Sequence, residues 1–236
     1  MVLSKDTQEK YEDASFNAGL PKRVEVLGTP VDPWTMEQTV EATDALIKEG
    51  RFAHLIGVNA DKLLQMRDDP EMDACVRRCE IVNADGASMV MAAKKLGVDL
   101  PGRVAGIDLM WELCGLAERE GHRVYLLGAK AEVVAKTAGV LSRGIPTLSS
   151  PATVTATSAT TSSTPWSQRS TRPSPDIVFV GITSPKKERP YRAFSASLGA
   201  KGRFSWAWEA RSTSSPATSR VPRCGCSART WSGSSA

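Results

Sequence analysis

Cys79–Asp108, CEIVNADGASMVMAAKKLGVDLPGRVAGID, is the stretch that decides the fold. Ile81–Val82 is a short apolar run that reads as a strand end. Asn83-Ala84-Asp85-Gly86 is a turn, because Asp-Gly favours one. Ala87–Leu96 then has amphipathic, helix-like spacing. Asp85 is thereby placed at the carboxyl end of a strand and the mouth of a helix, where open α/β sheets bind ligands. An Asp at such a turn also serves as an N-cap, worth about 1 kcal/mol. Its neighbours give it further interest: Arg103, Gly106 and Asp108 follow closely, and a second strand-end residue, Asn59, precedes it.

Outward from this stretch the same alternation recurs. Residues 1–22 read as a flexible lead. Arg23–Gly28 (RVEVLG) alternates like a strand, and Pro30 and Pro33 carry a loop. Thr35-Met36-Glu37-Gln38 is a capping box. Met36, Val40, Leu46 and Ile47 share one face of the helix that follows, to about Gly50. His54–Val58 is a strand ending on Asn59, with a helix from Ala60 to Arg67, a break at Pro70, and a helix through Cys75. After the Asp85 turn comes a glycine-bounded loop, Gly102–Gly106, and a helix Leu109–Glu120 that Asp108 starts or caps. Arg123–Gly128 is a strand, Ala131–Leu141 a helix, and Ile177–Gly181 a last apolar strand. Strands alternating with helices predict an α/β, Rossmann-like, mostly parallel sheet with helices on both faces. Neither GxGxxG nor a Walker sequence is present, so neither the dinucleotide nor the P-loop reading has its motif.

The chain has 236 residues, enough for a sizeable core. No apolar run approaches the roughly 18 residues of a membrane span. The polar N-terminus predicts no signal peptide. The five Cys lack paired-ligand spacing, and Cys75 and Cys79, one helical turn apart, read as reduced, half-buried thiols and not as metal ligands. These features together predict a cytoplasmic protein. The net charge of +4 comes from acid-free stretches and not from a basic face, so no nucleic-acid partner is expected. His54 and His122 read as structural or surface residues.

Two stretches break the pattern. Ile145–Arg172 is more than half Ser and Thr and has no hydrophobic periodicity; from Ser205 on the chain is equally unpatterned. The genetic code suggests out-of-frame translation. Trp has one codon, so reading Trp206–Ala210 one base earlier forces Gly at the second and fourth codons. With G/C-rich choices Trp206–Thr218 becomes MGVGGSFDVVAGH, and Ala152–Thr161 becomes GYRDGYFGDD. The domain reading is thus a lead at 1–22, a core at 23–142, an aberrant linker at 143–174, a remaining core segment at 175–204, and an aberrant, disordered tail at 205–236.

Several motifs in order resemble those of the WecG/TagA/CpsF glycosyltransferases. They are Val58-Asn59-Ala60-Asp61-Lys62, Asn83-Ala84-Asp85-Gly86, Arg103–Asp108, Val124–Gly128, and Val180-Gly181 with Pro185-Lys186-Lys187-Glu188. The re-read segments resemble that family's GYxDGYF and GVGGxFD motifs. The resemblance implies transfer of N-acetylmannosamine or a related sugar from a UDP-sugar to a polyprenyl-diphosphate-linked acceptor, with inversion and without a required metal or other cofactor. It implies peripheral contact with the inner face of the cell membrane. It makes Asp85 the catalytic base and Asn59, Gly86, Arg103, Gly106 and Asp108 substrate-binding residues. Gly128, Gly181, Pro185, Lys186 and Glu188 fall on the nucleotide side. The family often carries Thr two places before the Asn, and here that place is Gly57. The glycine loop is absent as amino acids, and with it an expected sheet strand, so the chain as written is expected to be inactive or poorly folding. Two other classes suit the α/β pattern: a non-catalytic nucleotide- or sugar-binding module, and an NAD-type oxidoreductase that lacks its glycine fingerprint.

Overall fold

The capping box at Thr35 forms as its residues predict. In the computed structural model, which describes residues 15–127, 131–144, 152–154, 175–181 and 204–207, the Gln38 amide donates to Thr35 Oγ1 at 3.2 Å and the Thr35 amide to Gln38 Oε1 at 2.9 Å. Helix α1 (Met36–Lys48) begins there. Leu46 is fully buried on its inner face, and Met36, Val40 and Ile47 pack beside the core. Asn59 caps α2 (Ala60–Asp68), and Asp69 caps α3 (Pro70–Arg77) with Pro70 in its first turn, where the missing N–H costs no helix bond. The remaining helices are α4 (Ala87–Lys95), α5 (Gly106–Glu120) and α6 (Ala131–Gly144). Gly121 ends α5 at φ +73°, a left-handed cap suited to glycine.

A hairpin of β1 (Val24–Val26) and β2 (Thr29–Val31) precedes the main sheet. The main strands are β3 (Ala53–Val58), β4 (Ile81–Ala84), β5 (Val124–Leu127), β6 (Ala152–Val154), β7 (Ile177–Val180) and β8 (Phe204–Ala207). They form one parallel six-stranded sheet in the order β4-β3-β8-β7-β5-β6. Alternate residues point to opposite faces. Leu55, Ile81, Leu126 and Phe179 meet α1, α5 and α6 on one face. Ile56, Val58 and Val82 meet α2, α3, α4 and the hairpin on the other. The doubly covered, Rossmann-like sheet expected from the alternation is therefore observed.

Four local expectations need correction. Pro30 does not carry a loop; it pairs with Glu25 inside β2, in a hairpin turned at Leu27-Gly28. The end of the expected lead is tied down: Phe16 is buried edge-on to Trp34, and Trp34 Nε1 donates to the Pro21 carbonyl at 2.8 Å. Helix α5 starts at Gly106, before Asp108, so Asp108 lies in its first turn and is not its cap. The segments set apart as aberrant supply two strands, so the described sheet keeps a strand between β3 and β7. A parallel ladder is built from backbone N–H and C=O groups, which any non-proline residue provides. The rest of those segments, 145–151, 155–174 and 208–236, lies outside the described residues.

His54, read as structural, is buried in β3, with its Nδ1 3.1 Å from Cys79 Sγ. Among the described residues Cys75, Cys79 and Cys114 are in no disulfide, and Cys75 and Cys79 are buried under β3 and α3 and not half-buried as expected. Burial pushes the Cys79 thiol well above its ordinary value, with Cys75 adding to the effect, and burial alone pushes Cys114 up to about 12. Both thiols hold their protons at a pH where the unfolded chain releases them. Their contribution to stability is complete below the unfolded value and is lost as pH rises toward the folded one. Above about pH 9, each should cost roughly 1.4 kcal/mol per pH unit. The thermal midpoint is expected to fall across that range, and Cys114→Ala to flatten the fall; an unchanged slope in that variant would contradict the burial account.

Candidate active site

Strands β3 and β4 end side by side, with Val58 in register with Ala84. The residues that follow, Asn59 and Asp85, therefore emerge together at the carboxyl edge of the sheet. The Asp85 amide donates to the Val58 carbonyl at 2.9 Å, which fixes the turn after β4 to the end of β3. Gly86 lets the two turns approach: a Cβ there would stand 3.2 Å from Asn59 Cβ and 3.1 Å from Ser88 Oγ.

Asp85 does not cap the helix that follows it. Gly86 is the N-cap residue of α4 and makes no side-chain cap bond. The Asp85 carboxylate instead accepts the Gly106 amide at 2.9 Å through Oδ1, across 21 positions of sequence. Helix α5 needs this partner, because its own N-cap, Ala105, makes no side-chain cap bond. The approach to α5 is anchored as well: the Val104 amide donates to the Ala84 carbonyl at 2.9 Å, and Val104 and Ala105 are buried. A half-buried carboxylate thus sits at the positive end of a helix.

The other expected residues fall into four groups. Asn59 and Gly106 lie beside Asp85, but Asn59 Oδ1 is used as the α2 cap, accepting the Lys62 amide at 2.9 Å. Arg103 and Asp108 are exposed at the α5 start and stand 3.8 Å apart, a pair that solvent screens. Gly181 follows β7 on the same edge, with β8 between β7 and β3, so it lies two strand spacings, about 10 Å, from the end of β3 and three, about 14 Å, from the end of β4 that carries Asp85. Gly128, Pro185, Lys186 and Glu188 lie outside the described residues.

Two residues beside Asp85 were not among the expected site residues. Gly57, where the resemblance led to expect Thr, leaves space that Asp85 fills: a Cβ at 57 would be 2.8 Å from Asp85 Cβ. Asn83 is 1% exposed and accepts the Thr39 hydroxyl at 3.4 Å, while its Nδ2 has no hydrogen-bond partner among the described residues. A glycine inside an apolar strand and an amide next to the Asp-Gly turn were the available signals.

Among the described residues no helix is long and apolar enough to cross a membrane. The sequence model of the glycosyl transferase WecG/TagA/CpsF family matches residues 24–205, a span that includes every expected site residue. The chain therefore belongs to the WecG/TagA/CpsF glycosyltransferases, a family of cell-surface polysaccharide synthesis.

Proposed function

We propose that this chain moves N-acetylmannosamine or a related sugar from a UDP-sugar to a polyprenyl-diphosphate-linked sugar, inverting the anomeric carbon, with Asp85 as the base. The observation that carries this reading is the Asp85 carboxylate at the joined ends of β3 and β4, oriented through Oδ1 by the Gly106 amide. A carboxylate so held accepts the acceptor hydroxyl proton as oxygen bonds to the anomeric carbon. In the same step the bond to the UDP phosphate breaks, and its electron pair leaves with the diphosphate. One displacement of this kind gives inversion.

The neighbours suit supporting roles. Asn59 spends Oδ1 on its cap, so its Nδ2 group is the donor for a sugar hydroxyl or N-acetyl oxygen. Arg103, on the solvent side of the α5 start, offers a bidentate fork to a diphosphate. The N–H groups opening α5 favour the same negative charge. Gly86 and Gly106 shape the acceptor side, and Asp108 orients Arg103. Gly181, with Gly128, Pro185, Lys186 and Glu188, is assigned to the nucleotide. The lipid-linked acceptor calls for peripheral contact with the inner face of the cell membrane.

The test compares the chain as written with a protein whose reading frame is restored across 143–174 and after 204. Both are given UDP-N-acetylmannosamine and a short polyprenyl-diphosphate-linked sugar. The restored protein is expected to release UDP and to give a product of inverted configuration. The chain as written should be at least about 100-fold slower, because it lacks the glycine loop whose backbone contacts hold the donor. A product of retained configuration would rule out single displacement. Equal turnover of the two proteins would show that the glycine loop is dispensable.

A further inference from the structure

Asn83 is the polar exception on its strand. All four residues of β4, Ile81, Val82, Asn83 and Ala84, are buried. Asn83 Nδ2 has no hydrogen-bond partner among the described residues. Its Oδ1 is scarcely better served. Thr39 Oγ1 stands 3.4 Å from it, but a hydroxyl has one proton to give, and the Thr35 carbonyl takes it at the shorter distance of 2.8 Å. A buried amide with its bonds unmade works against the fold, so its presence calls for a reason. Packing supplies none. Leu55 and Ile81, paired one step earlier on the same face, belong to the apolar core, and a leucine at 83 would continue that surface with nearly the outline of asparagine.

The reason lies two residues on. Asp85 leaves β4 on the face that carries Asn83, and its carboxylate leans back along that face. A Cβ built on Gly57, the residue paired with Asn83, would stand 3.2 Å from Asp85 Oδ2. Oδ1 is the oxygen that accepts the Gly106 amide. Oδ2 is therefore the oxygen turned toward the Gly57–Asn83 pair, where the unspent amide is buried.

We propose that Asn83 is a positioning residue for the transfer reaction: with the acceptor bound, its Nδ2 amide closes onto Asp85 Oδ2, so that Gly106 and Asn83 hold one carboxylate oxygen each while Asp85 takes the hydroxyl proton. A carboxylate has lone pairs for both bonds and for the proton. Held at one oxygen it turns about its Cβ–Cγ bond; held at both, its plane is fixed toward the acceptor. This inference rests on the reading of Asp85 as the base.

Stability and turnover should move apart when the amide is removed. In the 236-residue chain, Asn83→Leu is expected to raise the thermal midpoint by roughly 2–6 °C. Asn83→Val is the second variant, in case leucine fits badly. A midpoint at or above the parent's in either variant supports the inference, and a lower midpoint in both overturns it, because the amide then serves the fold. In the frame-restored protein the more stable variant should lower kcat about tenfold or more, with the donor KM kept within about twofold; an unchanged kcat overturns the positioning role. In an Asp85→Asn background the same substitution should change the residual turnover by less than about twofold, because no carboxylate is left to hold. An equal fold-loss in both backgrounds overturns the inference and leaves Asp85 as the base. Turnover of Asp85→Asn at the parent's rate is a separate result, the failure of the base reading itself.

Discussion

Asp85→Asn in the frame-restored protein is expected to lower sugar transfer by about 10²–10⁴-fold while leaving UDP-sugar binding nearly unchanged. The substitution preserves size. The amide oxygen of Asn can still accept the Gly106 N–H that now goes to Asp85 Oδ1 at 2.9 Å, so the start of α5 stays capped. What is lost is the negative charge and the ability to take a proton. The loss should therefore fall on kcat, with donor affinity measured by calorimetry close to that of the parent. This separates a transferase from a binding module, for which the same change has no turnover to remove. Retained transfer would reduce Asp85 to a helix cap contributed from another strand.

Arg23→Ala is expected to destabilise the fold by about 3–5 kcal/mol, against a typical margin of about 5–15 kcal/mol. The Asp32 side chain is 0% exposed, and Arg23 meets it with two bonds, Nε to Oδ1 at 2.8 Å and Nη2 to Oδ2 at 2.9 Å. Arg23 Nη2 also donates to the carbonyls of Cys79 and Glu80, and Asp32 Oδ2 accepts the Val82 amide at 2.7 Å. The pair thus fastens the β1–β2 hairpin to the root of β4, the strand that carries Asp85. Removing Arg23 leaves a buried carboxylate without its cation. Lys at 23 should recover only part of the loss, because a single ammonium cannot reproduce the fork. Urea unfolding of the three proteins measures the difference; a loss below about 1 kcal/mol would show that water takes over the role of the guanidinium.

Both expectations depend on contacts that a linear reading cannot list. Arg23 and Asp32 are nine positions apart, but the carbonyls and amide they hold belong to β4. The Asp-Gly turn was legible as a strand end, and its position at the sheet's carboxyl edge follows from the alternation of strands and helices. Its partner was not legible, because Gly106 is brought to it only when the 102–105 segment lies along β4.

The residues alone determined the parts whose causes are local. Thr35 and Gln38 start α1, Asn59 and Asp69 with Pro70 start the next two helices, and the apolar runs at 53–58, 81–84, 124–127 and 177–180 become strands, because caps and periodicity act within a few residues. The order of the family motifs was likewise readable along the chain. Tertiary structure alone decided that β2 runs through Pro30, that two unpatterned segments supply β6 and β8, and that Asp85 shares its place with the empty side of Gly57. The physical reason is common to all three. Sheet pairing uses backbone groups that carry no residue signature, and the space beside a glycine has meaning only once a neighbouring strand has been laid against it.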